Sequence, residues 1–194
     1  MAAKKLRTVV FTSIRSDYGP LRPLLDILQN DQDFDFSMLM GGSHLSEKFG
    51  FTKNDIVADK RPIAAEFDFL QEPQEADYLT KSMAVLQGDI GKWLYNNRPD
   101  WLVVLGDRFE LLPVAAAALV HKIPLAHISG GDVTEGAVDN QVRHAVTKMA
   151  HAHFPANETA KQVLLGLGEE EWRICVSGEP ALDQLERINY IPKA

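Results

Sequence analysis

The 194-residue chain contains a single cysteine, Cys175, so no disulfide can form within it. Set between Ile174 and Val176, that thiol reads as an inert core residue. Long apolar runs are also missing. Nothing approaches the roughly 18 apolar residues that a membrane-crossing helix needs. Met1-Ala2-Ala3-Lys4-Lys5 leads into a short strand rather than a signal segment. Cations are the minority, with 20 Lys and Arg against 27 Asp and Glu and a formal charge of −7. That balance argues against a nucleic-acid surface, because phosphate backbones require clustered Lys and Arg. Neither nucleic acid nor membrane is an expected partner, and the cytoplasm is the expected location. Missing motifs narrow the chemistry further. No Gly-x-Gly-x-x-Gly follows the first strand, no Gly-Lys-Ser/Thr marks a P-loop, and no Gly-x-Ser-x-Gly elbow appears. A dinucleotide fold and a serine hydrolase are therefore unsupported, and no cofactor is expected. His151 and His153 lack an obvious third ligand, so no metal site is expected.

What the chain does contain is an alternation. Short apolar or β-rich runs at Leu6–Thr12, 34–40, 63–69, Trp101–Leu105, Leu125–Ile128, 153–155 and 172–176 read as strands, the third less apolar and nearer an edge. Between them, 19–30, 75–97, Leu111–His121, 138–151 and 158–165 read as helices. Residues 13–18 read as a polar loop, and 43–59, which contains Gly50, as irregular helix. Alternation of this kind specifies an α/β fold: a Rossmann-like parallel sheet with right-handed crossovers and helices on both faces. Residues 1–180 are expected to form one domain, and 181–194 reads as the start of a linker.

In open α/β sheets, ligands bind beyond the carboxyl ends of the strands, and four polar segments fall there. Gly106-Asp107-Arg108-Phe109-Glu110 joins a buried strand to an alanine-rich helix. Asp107 can act as an acid or base if its surroundings tune it, or can simply cap the helix. Glu110 suits the helix dipole in the first turn. Arg15, between the first strand and first helix, offers a forked donor for phosphate, with Ser16 or Asp17 as a helix cap. Gly41-Gly42-Ser43-His44 allows close backbone approach and makes His44 a candidate ligand contact. The richest segment is His127-Ile128-Ser129-Gly130-Gly131-Asp132-Val133-Thr134-Glu135-Gly136, followed by Asp139, Arg143 and His144. Asp139 and Arg143 share a helix face, as a surface ion pair or as part of a site.

These motifs, in this order and spacing over residues 6–187, resemble the hydrolysing UDP-N-acetylglucosamine 2-epimerases, and most closely the branch that makes N-acetylmannosamine for sialic-acid-type sugars. The resemblance implies a glycosyltransferase-B-like fold of two Rossmann-like halves around a cleft. This chain would be the amino-terminal half, needing a carboxy-terminal domain and binding a nucleotide sugar; a homo-oligomer is expected. It also implies elimination of UDP across C1 and C2, then addition of water from the other side. On that basis Asp107, Asp132, Asp139, Arg143 and His144 are candidate catalytic groups, and Arg15, Asp17, His44, Arg108 and Ser129 candidate substrate contacts. One position departs from the family pattern: many members carry Glu where Ser129 stands. A serine cannot serve as a carboxylate at neutral pH. Either Asp132 takes over, or the work is divided differently, or the substrate is another nucleotide sugar such as a GDP-linked one. Two readings of other classes stay open: a glycosyltransferase of the same architecture and a non-catalytic nucleotide-sugar-binding module.

Overall fold

The structure, a computed structural model, describes residues 4–71, 76–134 and 138–185. Six strands, β1 (Leu6–Thr12), β2 (Phe34–Gly41), β3 (Ile63–Phe67), β4 (Trp101–Leu105), β5 (Leu125–Ile128) and β6 (Ala152–Phe154), form one sheet. Their order is β3-β2-β1-β4-β5-β6, and every pairing is parallel. The expected α/β architecture is therefore present, with β3 at an edge as its weaker apolar pattern suggested. The helices are α1 (Arg15–Asn30), α2 (Lys53–Ala58), α3 (Tyr78–Asn97), α4 (Leu111–His121), α5 (Asp139–Met149), α6 (Glu158–Gly166) and α7 (Pro180–Leu185). The expected helix at 75–97 starts at Tyr78; Glu75 lies outside the described residues.

Alternate side chains of the central strands feed two cores. Val9 and Phe11 of β1 join Leu102 and Val104 of β4 under α3, α4 and α5. Val10, Val103 and Leu105 point the other way, toward α1 and α2. Right-handed crossovers account for the division. Winding from β1 out to β3 places α1 and α2 on one face, and winding back through β4 to β6 places α3, α4 and α5 on the other. Over β4–β6 the described residues leave an apolar groove of about 490 Å³ on the first face, lined in part by Trp101, Val103, Ile128 and Phe154.

Three expectations are corrected. Residues 15–18 belong to α1 rather than to a loop. Ser, Asp, Gly and Pro signal a break there, but Tyr18, Leu21, Leu25 and Leu28 are buried at helical spacing, and that stripe carries the helix back through Gly19. Residues 172–176 form no strand. Glu171–Arg173 makes a 3-10 turn, and only Ile174 bridges to His153 of β6. Among the described residues no layer covers this edge, and Trp172 is 80% exposed. For the same reason Cys175 is exposed rather than part of the core.

Beyond β6 the tail is held by a buried acid. Glu169 accepts from Lys148 Nζ at 2.6 Å on one oxygen, and from His153 Nε2 at 2.9 Å and Arg173 Nη2 at 3.0 Å on the other. Burial would push its carboxyl up, but these three neighbours hold it below the usual range. Burial also lowers His153, so its Nε2–H donates as a neutral ring. Gln184 of α7 donates to the Gly19 carbonyl at 2.7 Å, tying the last described helix to α1.

Candidate active site

The strand order reverses between β1 and β4, and the loops leaving their carboxyl ends diverge to opposite faces. This is where an open α/β sheet presents a crevice. From β1 come Ser13 and Ile14, then Arg15 and Asp17 in the first turn of α1. Ile14 offers that helix no side-chain cap. From β4 come Gly106, whose φ of 87° makes the turn, and then Asp107, Arg108 and Glu110. Glu110 spans the crevice floor. It is 2% exposed, and its Oε1 accepts from Ser13 Oγ at 2.5 Å and from Arg108 Nε at 2.7 Å.

The loop after β5 closes the other side. Ser129 has a φ of 58°, and its amide donates to the Phe154 carbonyl at 2.9 Å. Two glycines follow, the first where a side chain would be tight and the second where none fits. A Cβ at Gly130 would lie 3.1 Å from His127 Nδ1 and from Thr147 Oγ1. One at Gly131 would lie 2.3 Å from the Ala160 carbonyl. Arg143, 7% exposed on α5, then joins two loops. Its Nη1 donates to the Asp132 carbonyl at 2.6 Å, and its Nη2 pairs with Asp107 Oδ2. Asp107 is thus the partner of Arg143. The alternative surface pair with Asp139 is corrected: a neighbour four residues away on the helix loses to a carboxylate that the fold brings to the buried guanidinium.

The electrostatics set these groups apart from ordinary surface charge. Asp17 is pushed up to about 7, first by burial and then by Glu110 and Asp107, against the pull of Arg108. Asp132 is raised by burial and by Asp107, with Arg143 opposing. Groups from all three loops therefore feel one another. His44 and His127 belong to the frame. His127 is fully buried, its Nε2 donating to the Gly106 carbonyl at 2.7 Å and its Nδ1 lying 3.1 Å from Thr147 Oγ1. His44 is equally buried, between Thr12 Oγ1 at 3.0 Å and Thr52 Oγ1 at 2.7 Å. Burial lowers each to about 4, so both rings are neutral at physiological pH.

Of the residues singled out in the sequence, the fold gathers Asp17, Arg108, Asp107, Arg143 and Asp132. Arg15 is exposed on the first turn of α1, and Asp139 opens α5 half-buried. His144 follows Arg143, half-buried, with Nδ1 lacking a partner among the described residues. Ser129 Oγ is buried and likewise has none among them. Glu135 and Gly136 lie outside the described residues. Glu110, Ser13 and His127 lay within the segments singled out in the sequence, but their contacts emerge only from the structure. The signal available for Glu110 was an acid two residues after Arg108, at the start of an otherwise apolar helix. Among the described residues, no group of three or more His, Cys, Asp or Glu could hold a metal, and no helix is long and apolar enough to cross a membrane.

A family model described as UDP-N-acetylglucosamine 2-epimerase matches residues 26–193. The chain belongs to this epimerase family. A Campylobacter jejuni relative named GDP/UDP-N,N'-diacetylbacillosamine 2-epimerase (hydrolyzing) is 35% identical over 189 residues, covering 97% of this chain and 49% of that protein. A Legionella pneumophila UDP-N,N'-diacetylbacillosamine 2-epimerase (hydrolyzing) is 35% identical over 181 residues, covering 93% and 48%. The epimerase-family chain thus spans about half the length of these curated relatives. A crystal structure of UDP-N-acetylglucosamine 2-epimerase superposes with a TM-score of 0.84 at 21% identity, over 94% of this chain and 51% of that one. The apo form of the lipopolysaccharide outer core galactosyltransferase WaaB shares the fold more distantly, with a TM-score of 0.62 at 11% identity, over 88% and 45%. The architecture is glycosyltransferase-B-like.

Proposed function

We propose that the protein bearing this chain is a hydrolysing nucleotide-sugar 2-epimerase that converts UDP-N-acetylglucosamine and water to N-acetylmannosamine and UDP. The observation that carries the reading is Arg143 holding Asp107 and the Asp132 loop together at the reversal point of the sheet. A carboxylate takes the C2 proton, the C1–oxygen bond breaks with its electron pair leaving on the nucleoside diphosphate, and a 2-acetamidoglucal forms. Water then adds its oxygen to C1, and a proton enters C2 from the opposite face. Two faces call for two proton-handling groups in different environments. Asp107, ion-paired with Arg143, suits the accepting role. Asp132, raised by burial, suits the donating one and stands in for the carboxylate that Ser129 lacks. Asp139 and His144 border them on α5, and Arg15 and Arg108 provide positive charge for the departing diphosphate.

The remaining half of the relatives' length is proposed to close the crevice as a second Rossmann-like half, reached through 181–194. The 194-residue piece alone is then inactive. The names of the Campylobacter and Legionella relatives make the diacetylbacillosamine form the second substrate to try. The test is to incubate the full-length protein in heavy water with each nucleotide sugar. Free nucleoside diphosphate and a free 2-epimerised sugar with deuterium at C2 are expected. A product without deuterium there overturns the mechanism, and nucleotide release that waits for an acceptor sugar points to glycosyl transfer instead.

A further inference from the structure

Glu110 places both of its donors on one oxygen. Oε1 accepts from Ser13 and Arg108, while Oε2 is buried with no hydrogen-bond partner among the described residues. A carboxylate kept only for stability gains little from such lopsided use, because a bare buried oxygen forfeits its solvation. The arrangement does have a geometric effect. With Nε engaged by Glu110, the guanidinium plane of Arg108 is fixed and its outer edge is free. Neither Nη group makes a hydrogen bond among the described residues, and the side chain is 35% exposed. A planar fork with two parallel N–H donors matches two phosphate oxygens. Ser13 belongs to the other wall, two residues before Arg15, so the same carboxylate joins the β1 turn to Arg108.

We propose that Glu110 is a positioning residue: through Arg108 Nε it aims the outer guanidinium fork at the diphosphate of the nucleotide sugar, and through Ser13 it holds the Arg15 turn at the same site. The inference rests on the nucleotide-sugar reading above. A free arginine must give up rotamer freedom when it meets its ligand, and Glu110 orders it beforehand. Negative charge grows on the leaving diphosphate as the C1–oxygen bond breaks, so a preset donor acts on the bond-breaking step as well as on binding.

The test is a double-mutant cycle in the full-length protein. Glu110→Leu and Arg108→Met are each expected to lower kcat/KM by about 10- to 100-fold, the scale of losses from misplaced groups. Each also weakens UDP or GDP binding measured by calorimetry. The double variant is expected to lose less than the product of the two single losses, because Glu110 acts in part through Arg108. Glu110→Gln, which keeps an acceptor for Ser13 and Arg108, is expected to recover most of the loss. Losses that multiply in the double variant, or a Gln variant as impaired as Leu, overturn the proposal. If Glu110→Leu does not fold, Glu110→Asp completes the cycle: it is one methylene too short to hold Nε and retains the charge. A wild-type protein that neither binds nor turns over nucleotide sugars sinks the underlying function. A working wild type with multiplicative losses sinks only the role of Glu110.

Discussion

Among the described residues two glutamates are almost fully buried, Glu110 at 2% exposure and Glu169 at 4%, and they are treated in opposite ways. Glu169 spreads three donors over two oxygens and joins α5, β6 and the turn at Glu171–Arg173. Its neighbours hold its carboxyl below the usual range, the mark of a charge that the fold fully compensates. Glu110 stacks its donors on one oxygen beside a crevice, among groups pushed the other way, with Asp17 at about 7 and Asp132 raised. Satisfied burial marks a joint in the fold. Lopsided burial next to a free guanidinium marks a place arranged for something that arrives.

The widest separation between the two regions should appear in activity. Asp107→Asn in the full-length protein is expected to cut turnover by about 10²- to 10⁴-fold, the usual scale for a lost acid–base group. Its melting temperature should stay within a few degrees, because asparagine can still accept from Arg143. Normal turnover by this variant removes Asp107 from the chemistry. Stability should show the reverse pattern. Glu169→Leu takes the acceptor of His153 Nε2, leaves Lys148 with the Leu167 carbonyl and Arg173 with Glu170, and is expected to cost about 3–5 kcal/mol. That corresponds to a drop in melting temperature of at least about 6 °C for a domain of this size. Glu110→Leu removes an orphaned oxygen and should melt much closer to wild type. Equal drops in calorimetric scans would erase the contrast between the two acids.

Acidification sharpens the comparison between frame and crevice. Unfolded, His44 and His127 titrate near 6.5; folded, they titrate at about 4. Between those values the unfolded chain binds more protons, so stability present above pH 6.5 is lost as the pH falls toward 4. Asp17 runs the other way. Its folded value of about 7 lies above its ordinary 3.8, so stability falls as the pH rises through that window. Asp17→Asn should therefore steepen the acid loss and raise the melting temperature at pH 8. A variant no more stable than wild type at pH 8 contradicts the burial assigned to Asp17. The smallest effect is steric. Gly131→Ala must move its new methyl away from the Ala160 carbonyl at a φ of 86°, and a loss of about 1–3 kcal/mol in urea unfolding is expected.

The parts of the site that were legible in the sequence depended on local signals. Trp101–Leu105 followed by Gly-Asp-Arg identifies a buried strand and its ligand edge, because a short apolar run and a turn suffice to define both. The Gly130-Gly131 pair was visible as a loop, but its reason, the Ala160 carbonyl against Gly131, is a contact across the fold. Arg143 shows the limit most clearly. Helical spacing offered Asp139, whereas the tertiary structure supplied Asp107 from a loop 36 residues away. The start of α1 was hidden by Gly19 and Pro20, which signal a break until the burial of Tyr18 outweighs them. At 172–176 the composition was right for a strand, but among the described residues nothing lies beyond β6 for Trp172 to pack against.

The bracing of the two crevice walls is unequal, and this bears on how the family could diversify. The wall formed by the β4 and β5 loops is cross-tied three times: by His127 to the Gly106 carbonyl, by His127 to Thr147, and by Arg143 to Asp107 and Asp132. The wall carrying Arg15 and Asp17 is fastened across the crevice by the Ser13–Glu110 bond. A sugar or nucleotide of different shape would be admitted by resetting that one fastening. Every adjustment on the opposite wall disturbs several ties at once. Variation would then be expected along the β1–α1 turn, while the β4 and β5 loops stay fixed.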